Sequence, residues 1–247
     1  MKVLVLSDIH SNICALKAIW EREGYADKIL IAGDLVDYGP FPSDVIHWAR
    51  ERGALAVSGN HDKKLIGVYR CGGYRNVPPD AFCWVHDNCL QLNNDDVKYL
   101  ESLPEVLDLE IDGFAYRMRH LYRGYEEVSS LREFEALWNN PPRAAISGAK
   151  GRRMIFGHTH RRCVHYLADD LLWMNPGSVS YRRPDDNSKS AHYAVITDGE
   201  ISLGAVEYDR SPLLAIVRKY KGESGMSPDE LQDALFFFGD AAEPGHR

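Results

Sequence analysis

The sequence predicts an α/β fold with two stacked sheets, on three observations. Apolar, β-branched runs alternate with amphipathic segments through the first sixty or so residues. Farther on, Asp112-Gly113, Asp169-Asp170 and Asp198-Gly199 each separate two apolar runs, as hairpin turns do. The early pattern requires a mainly parallel sheet under helices, and the later one antiparallel strands.

Val3–Leu6 is an unbroken apolar run suited to a strand buried on both faces. Ser11 and Asn12 can cap a following helix with the stripe Ile13, Leu16, Ile19 and Trp20. Ile29–Ala32 repeats the strand pattern and ends in Gly33-Asp34. After Pro40 and Pro42, Val45, Trp48 and Ala49 mark a second helix. Ala54–Val57 is a third strand, running into Ser58-Gly59-Asn60-His61-Asp62. The stretch from Pro78 to Leu103 reads as helical, with Val97, Leu100 and Leu103 at threefold spacing. Hairpins follow at Val106–Ile111 with Phe114–Leu121, Cys163–Leu167 with Leu171–Met174, and His192–Thr197 with Ile201–Tyr208. Leu131, Phe134 and Trp138 imply a helix before Pro141-Pro142, and Met154–Phe156 is a strand entering Gly157-His158-Thr159-His160. No repeat or linker divides the 247 residues, so one domain is expected, with a core to about residue 210. Residues 211–247 form a helical extension whose end, Ala241 to Arg247, is a loose tail.

The formal net charge of -7 argues against a nucleic-acid partner bound by a broad basic surface. Five cysteines at irregular spacing, with no CxxC, suggest neither a disulfide framework nor a zinc finger. The opening apolar run is too short for a signal segment, and no run has the length of a membrane span, so a cytoplasmic protein is expected.

The chemistry lies where polar residues follow strands. Asp8 and His10 follow the first, Asp34 the second, Asn60 and His61 the third, and His158 and His160 a later one. Ligands collect at the carboxyl ends of strands in open α/β sheets, so these segments can meet in one crevice. Asp, Asn and His offer oxygen and imidazole donors suited to divalent Mn, Fe, Ni or Zn, or to Mg. A single Asp-X-His or His-X-His means little; four such segments in order make chance a poor explanation.

The series Asp8-X-His10, Gly33-Asp34-X-X-Asp37, Gly59-Asn60-His61-Asp62, a later lone histidine and Gly157-His158-Thr159-His160 resembles the calcineurin-like metallophosphoesterase superfamily. With Asn175-Pro176-Gly177-Ser178 it looks like the small prokaryotic phosphodiesterase-like branch. The resemblance runs from Met1 to about Tyr208. It implies a four-layer α-β-β-α sandwich with two mixed β-sheets and two divalent metal ions. Asp8, His10 and His160 would hold the first ion, Asn60 and His158 the second, and Asp34 would bridge them. A further second-ion histidine is expected, for which His120 is the best match and His86 the rival. His61 would assist the leaving oxygen, oriented by Asp37, after attack by a metal-bridging hydroxide. Asp62 is expected to anchor its own turn.

Serine/threonine protein phosphatases of this superfamily carry arginine where this chain has Tyr38, and Glu where it has Asp62. A small phosphorylated substrate, a phosphodiester or a phosphomonoester, is therefore favoured over a phosphoprotein. Tyr38 either stacks on a substrate or packs on its own loop. Arg123, Arg161, Arg162, Arg182 and Arg183 lie on loops that can reach a phosphate, but each reads more readily as a solvated surface charge, so none is taken as a binding residue. The competing class is a scaffold on the same fold, and an intact ligand set argues for an enzyme. A single-metal nuclease is weaker, because a bridging Asp34 implies a pair.

Overall fold

A computed structural model describes residues 1–121, 127–141, 148–180, 189–223 and 226–239. Arg123, Pro142, Arg182, Arg183 and the expected tail lie outside them. The first sheet holds β1 (Lys2–Leu6), β2 (Lys28–Ile31) and β3 (Leu55–Ala56) in parallel, extended antiparallel by β9 (Ala191–Thr197) and β10 (Glu200–Val206). Its order is β10-β9-β1-β2-β3. The second sheet comprises β4 (Leu107–Ile111), β5 (Phe114–Met118), β6 (Arg152–Ile155), β7 (Cys163–Ala168) and β8 (Leu171–Asn175), in order β4-β5-β6-β8-β7. Its centre is parallel and both edges are antiparallel, so both sheets are mixed.

Alternation along β1 sets the layers. Val3 and Val5 pack with Tyr116, Met118, Ile155 and Met174 between the sheets. Leu4 and Leu6 face the other way, against α1 (Ile13–Glu23) and α2 (Pro42–Glu51). Beyond the second sheet, Phe134, Leu137 and Trp138 of α6 (Leu131–Trp138) cover Ala115, Met154 and Trp173. The result is the expected α-β-β-α sandwich, with β1 and β2 buried on both faces.

The differences from the sequence reading are local. The helical stretch from Pro78 is two helices, α4 (Trp84–Gln91) and α5 (Asn94–Ser102), parted where Asn93 caps the amides of Asp95 and Asp96. A helix that the pattern did not reveal, α3 (Asn60–Cys71), starts inside the third polar segment. Asp62 in its first turn accepts from Gly59 N at 2.8 Å, and left-handed Gly72 ends it. The C-terminal helices α7 (Ser211–Glu223) and α8 (Pro228–Phe237) pack Leu213, Val217 and Leu231 against Trp84. Among the described residues, no helix is long and apolar enough to cross a membrane.

Candidate metal centre

Four loops converge at the carboxyl ends of β1, β2, β3 and β6, joined by the segment after β5. The first two loops are stitched together by their backbones. Asp8 N donates to Gly33 O at 3.0 Å, and Ile9 N to Asp34 O at 2.8 Å. Asp62, fully buried, then ties the second loop to the third. Its carboxylate accepts from Gly59 N and also from the amides of Asp34, Leu35 and Val36, at 2.9–3.3 Å. Its reach is thus wider than its own turn. Asn88 of α4 accepts from Ser11 Oγ and Asp37 N and donates to Gly39 O at 2.7 Å. The Asn175-Pro176-Gly177-Ser178 loop braces the remaining side: Asn175 Nδ2 donates to Gly157 O, and Ser178 Oγ to Asp8 O.

Close approach leaves no room for side chains at two positions. A Cβ on Gly59 would run into Asp34 Oδ1, and one on Gly157 into Ser7 Oγ and Asp8 Oδ2. The backbone bends sharply at the functional residues themselves. Asp8, His10, Asp34, Asp37, His158 and His160 all have left-handed φ, between 48° and 73°. Such conformations cost a non-glycine residue roughly 1–2 kcal/mol and persist only where the surroundings enforce them.

Two donor clusters result: Asp8, His10 and His160, and Asp34, His120 and His158. Within each, one donor atom per residue lies within 4.8 Å of the others. His160 Nε2 stands 3.2 Å from Asp8 Oδ1. His120 Nδ1 donates to Ala32 O at 2.7 Å, which aims Nε2 at Asp34 Oδ2, 3.1 Å away, and at Asn60 Oδ1, 2.8 Å away. His158 Nδ1 lies 3.0 Å from Asn60 Oδ1, so Asn60 joins the second cluster. Asp34 touches both, because its Oδ2 is also 4.0 Å from His10 Nε2. His86 is elsewhere, its Nδ1 accepting from Cys83 N at 3.2 Å.

The electrostatics fit cations. Burial pushes the Asp8 carboxyl up, yet His160, His120 and His10 outweigh it and hold it below the usual range. Burial likewise opposes ionisation of Asp34, and His120 and His10 reverse it. Burial drives His10 down to about 4, a neutral imidazole of the kind metals bind. Burial works against a charged His120, but Asp34 and Asp8 push it up to about 10. Two buried carboxylates thus demand positive charge, and carboxylate, amide and imidazole donors suit divalent cations.

His61 stands beside the clusters. Its Nδ1 donates to Asp37 Oδ2 at 2.8 Å, and its ring centroid is 5.2 Å from that of His10. The same Asp37 oxygen accepts from Lys64 Nζ at 2.9 Å. Neither Lys64 nor Asn88 was marked by the sequence pattern. Lys64 had a signal, since His61 and Lys64 share a face three residues apart once α3 is recognised. Asn88 had none. Tyr38 packs its ring 4.5 Å from that of His61 and joins the C-terminal apolar cluster. Arg162 Nη1 donates to Gly204 O at 3.3 Å, and Arg161 N lies 3.5 Å from Thr159 Oγ1.

The calcineurin-like phosphoesterase superfamily domain matches residues 1–198. An uncharacterized protein of Methanocaldococcus jannaschii is 28% identical over 225 residues, 84% of this chain and 88% of that one. A symmetrical bis(5'-nucleosyl)-tetraphosphatase of Serratia proteamaculans is 34% identical over 85 residues, covering 32% of this chain and 30% of its own length. The crystal structure of a metallophosphoesterase from Sphaerobacter thermophilus superposes with a TM-score of 0.70 at 25% identity, covering 95% of this chain and 99% of that one. With both sheets in place and the motif residues gathered at one crevice, the chain belongs to the calcineurin-like phosphoesterase superfamily.

Proposed function

We propose that this protein hydrolyses a phosphodiester or a small phosphomonoester, using two divalent cations and His61 as the acid. The observation that carries this reading is the His61–Asp37 pair, 2.8 Å apart, beside two donor clusters that share Asp34. Asp8, His10 and His160 would hold one ion and Asn60, His120 and His158 the other, with Asp34 between them. When bound, such a pair supplies Lewis acidity, an activated water and a template for the phosphoryl oxygens.

The chain's own residues do the rest. Burial lowers the pKa of His61, but its hydrogen bond to Asp37 and the field of Asp34 raise it above the ordinary histidine value. That shift favours the protonated imidazole, which can give its proton from Nε2 to the departing oxygen. Asp37 fixes the ring through Nδ1, and Lys64 in turn holds Asp37. A scaffold needs none of these three. We place residues 211–239 in the same unit, since α7 and α8 pack on Trp84 and Tyr38.

Purified protein with Mn²⁺ is expected to hydrolyse bis-p-nitrophenyl phosphate. His61→Ala should retain its metal while turnover falls about 10²–10⁴-fold. Loss of metal in that variant, or full activity, would refute the role given to His61.

A further inference from the structure

The turn Asp37-Tyr38-Gly39, which brings a carboxylate to His61, has a backbone that needs support. Asp37 and Tyr38 are consecutive non-glycine residues with left-handed φ, 73° and 59°. Such a pair persists only where the surroundings enforce it. Gly39 follows, so close to the first loop that a Cβ would meet His10 O at 2.3 Å. Asn88 of α4 supplies the enforcement. It is fully buried, and its Oδ1 accepts from Asp37 N at 2.9 Å and from Ser11 Oγ at 2.6 Å. Its Nδ2 donates to Gly39 O at 2.7 Å. One side chain thus grips the turn on both sides of Tyr38 and ties it to the loop that carries Asp8 and His10.

The C-terminal helices in turn fix α4. Trp84, one turn before Asn88, is fully buried in a cluster with Leu213, Val217, Met226 and Leu231. Asp87, the neighbour of Asn88, accepts from Tyr220 Oη at 2.7 Å. Ser227 N donates to Phe82 O at 3.0 Å, tying the start of α8 to the approach to α4. Tyr38 and Phe41 pack against the same apolar cluster, so α7 and α8 support the turn as well as the helix. Both helices lie beyond residue 198, where the family match ends.

We infer, resting on the phosphoester reading in which His61 is the acid, that Asn88 is a positioning residue for His61 and that α7 and α8 act on the reaction through it. The C-terminal extension is then part of the acid's support and not an appendage. Held by Asn88, the turn keeps Asp37 on His61 Nδ1; released, it relaxes toward ordinary φ and the imidazole loses its orientation.

Two variants test this with Mn²⁺ and two diesters, bis-p-nitrophenyl phosphate and diphenyl phosphate. Phenoxide is the poorer leaving group and depends more on the acid. Asn88→Asp keeps an oxygen for Asp37 N but replaces the donor to Gly39 O. Its turnover of bis-p-nitrophenyl phosphate should fall about tenfold, with KM and metal content little changed. Tyr220→Phe removes one hydroxyl from α7 and should cost about threefold. Each loss should be at least about threefold larger on diphenyl phosphate, and should shrink to within about twofold in a His61→Ala background. Equal losses on both esters, or losses that persist without His61, would show a merely structural role and overturn the proposal. A second measurement needs no turnover. With Zn²⁺ in place of Mn²⁺, the His61 Nδ1 proton, identified by its absence from His61→Ala, should exchange with water at least about tenfold faster in Asn88→Asp. Unchanged exchange overturns the proposal. Should the wild type hydrolyse neither ester, the phosphoester reading fails by itself, and the exchange rate still decides whether Asn88 positions His61.

Discussion

The two donor clusters differ in how they meet solvent. In the first, Asp8 and His10 are almost fully buried, and Tyr38 and His61 close over His10 with ring centroids 5.3 and 5.2 Å away. The second buries Asp34 and His120 as deeply, but its Asn60 is exposed and lines a cleft. Among the described residues, that cleft takes in none of Asp8, His10 and His160. Under the proposed assignment, an ion at the first cluster is expected to exchange with solvent more slowly than one at the second.

Removing Asp34 should abolish the distinction altogether, because Asp34 touches both clusters. Asp34→Asn is expected to lower activity by at least about 10³-fold, beyond the loss typical of a single stabilising group. Metal analysis should find less than one ion per chain. Full metal content in that variant contradicts a shared carboxylate.

The clusters should also separate under chelation. Dialysis against a weak chelator is expected to leave one ion per chain, and His158→Ala protein should start from that state. His160→Ala should instead weaken the ion that wild type retains, by about 10–100-fold. Simultaneous loss of both ions from wild type would show that enclosure makes no difference.

A smaller effect sharpens the picture on the enclosed side. Lys64→Met removes one donor to Asp37 Oδ2, leaving the Tyr38 amide and His61 Nδ1 as its hydrogen-bond partners and loosening the carboxylate that orients His61. Turnover should fall about tenfold with metal content and KM little changed. A change in KM alone would move Lys64 from positioning His61 to binding substrate.

The smallest expected effect is remote. Glu230 of α8 has one carboxylate oxygen buried without a hydrogen-bond partner among the described residues. Burial and the Asp37 carboxylate push its pKa up to about 7. A carboxyl raised on folding binds its proton more tightly folded than unfolded, so stability falls as pH climbs from about 4.5 to about 7. Glu230→Gln should therefore melt higher than wild type at about pH 8 and alike at about pH 4. Allowing for partial exposure, the gain is about 1–2 kcal/mol, or about 2–6 °C. A gain independent of pH contradicts this origin.

How much of this was legible follows from where each residue acts. β1 and β2 were readable because strands covered on both faces are continuous apolar runs, and the polar residue after each then marks a sheet edge. His120 was reachable by the same logic, lying two residues past β5. The start of α3 was hidden because its first residues are also the third ligand segment, and Lys63-Lys64 gives no apolar stripe there. With α3 unseen, Lys64 could not be placed beside His61, nor Lys63 beside Asn60. Asn88 and Glu230 act across tertiary contacts between distant elements, which no local pattern encodes. The cleft exists only where α3, α6 and the end of β5 face one another.

The left-handed turns at Asp8, His10, Asp34, Asp37, His158 and His160 set stability against activity. Aspartate and histidine tolerate that conformation better than most residues, yet glycine adopts it without strain. A library of this protein selected only for heat resistance should therefore drift toward glycine at these positions. Each step would relax the backbone and discard a functional side chain, so the hardiest descendants would be the least active.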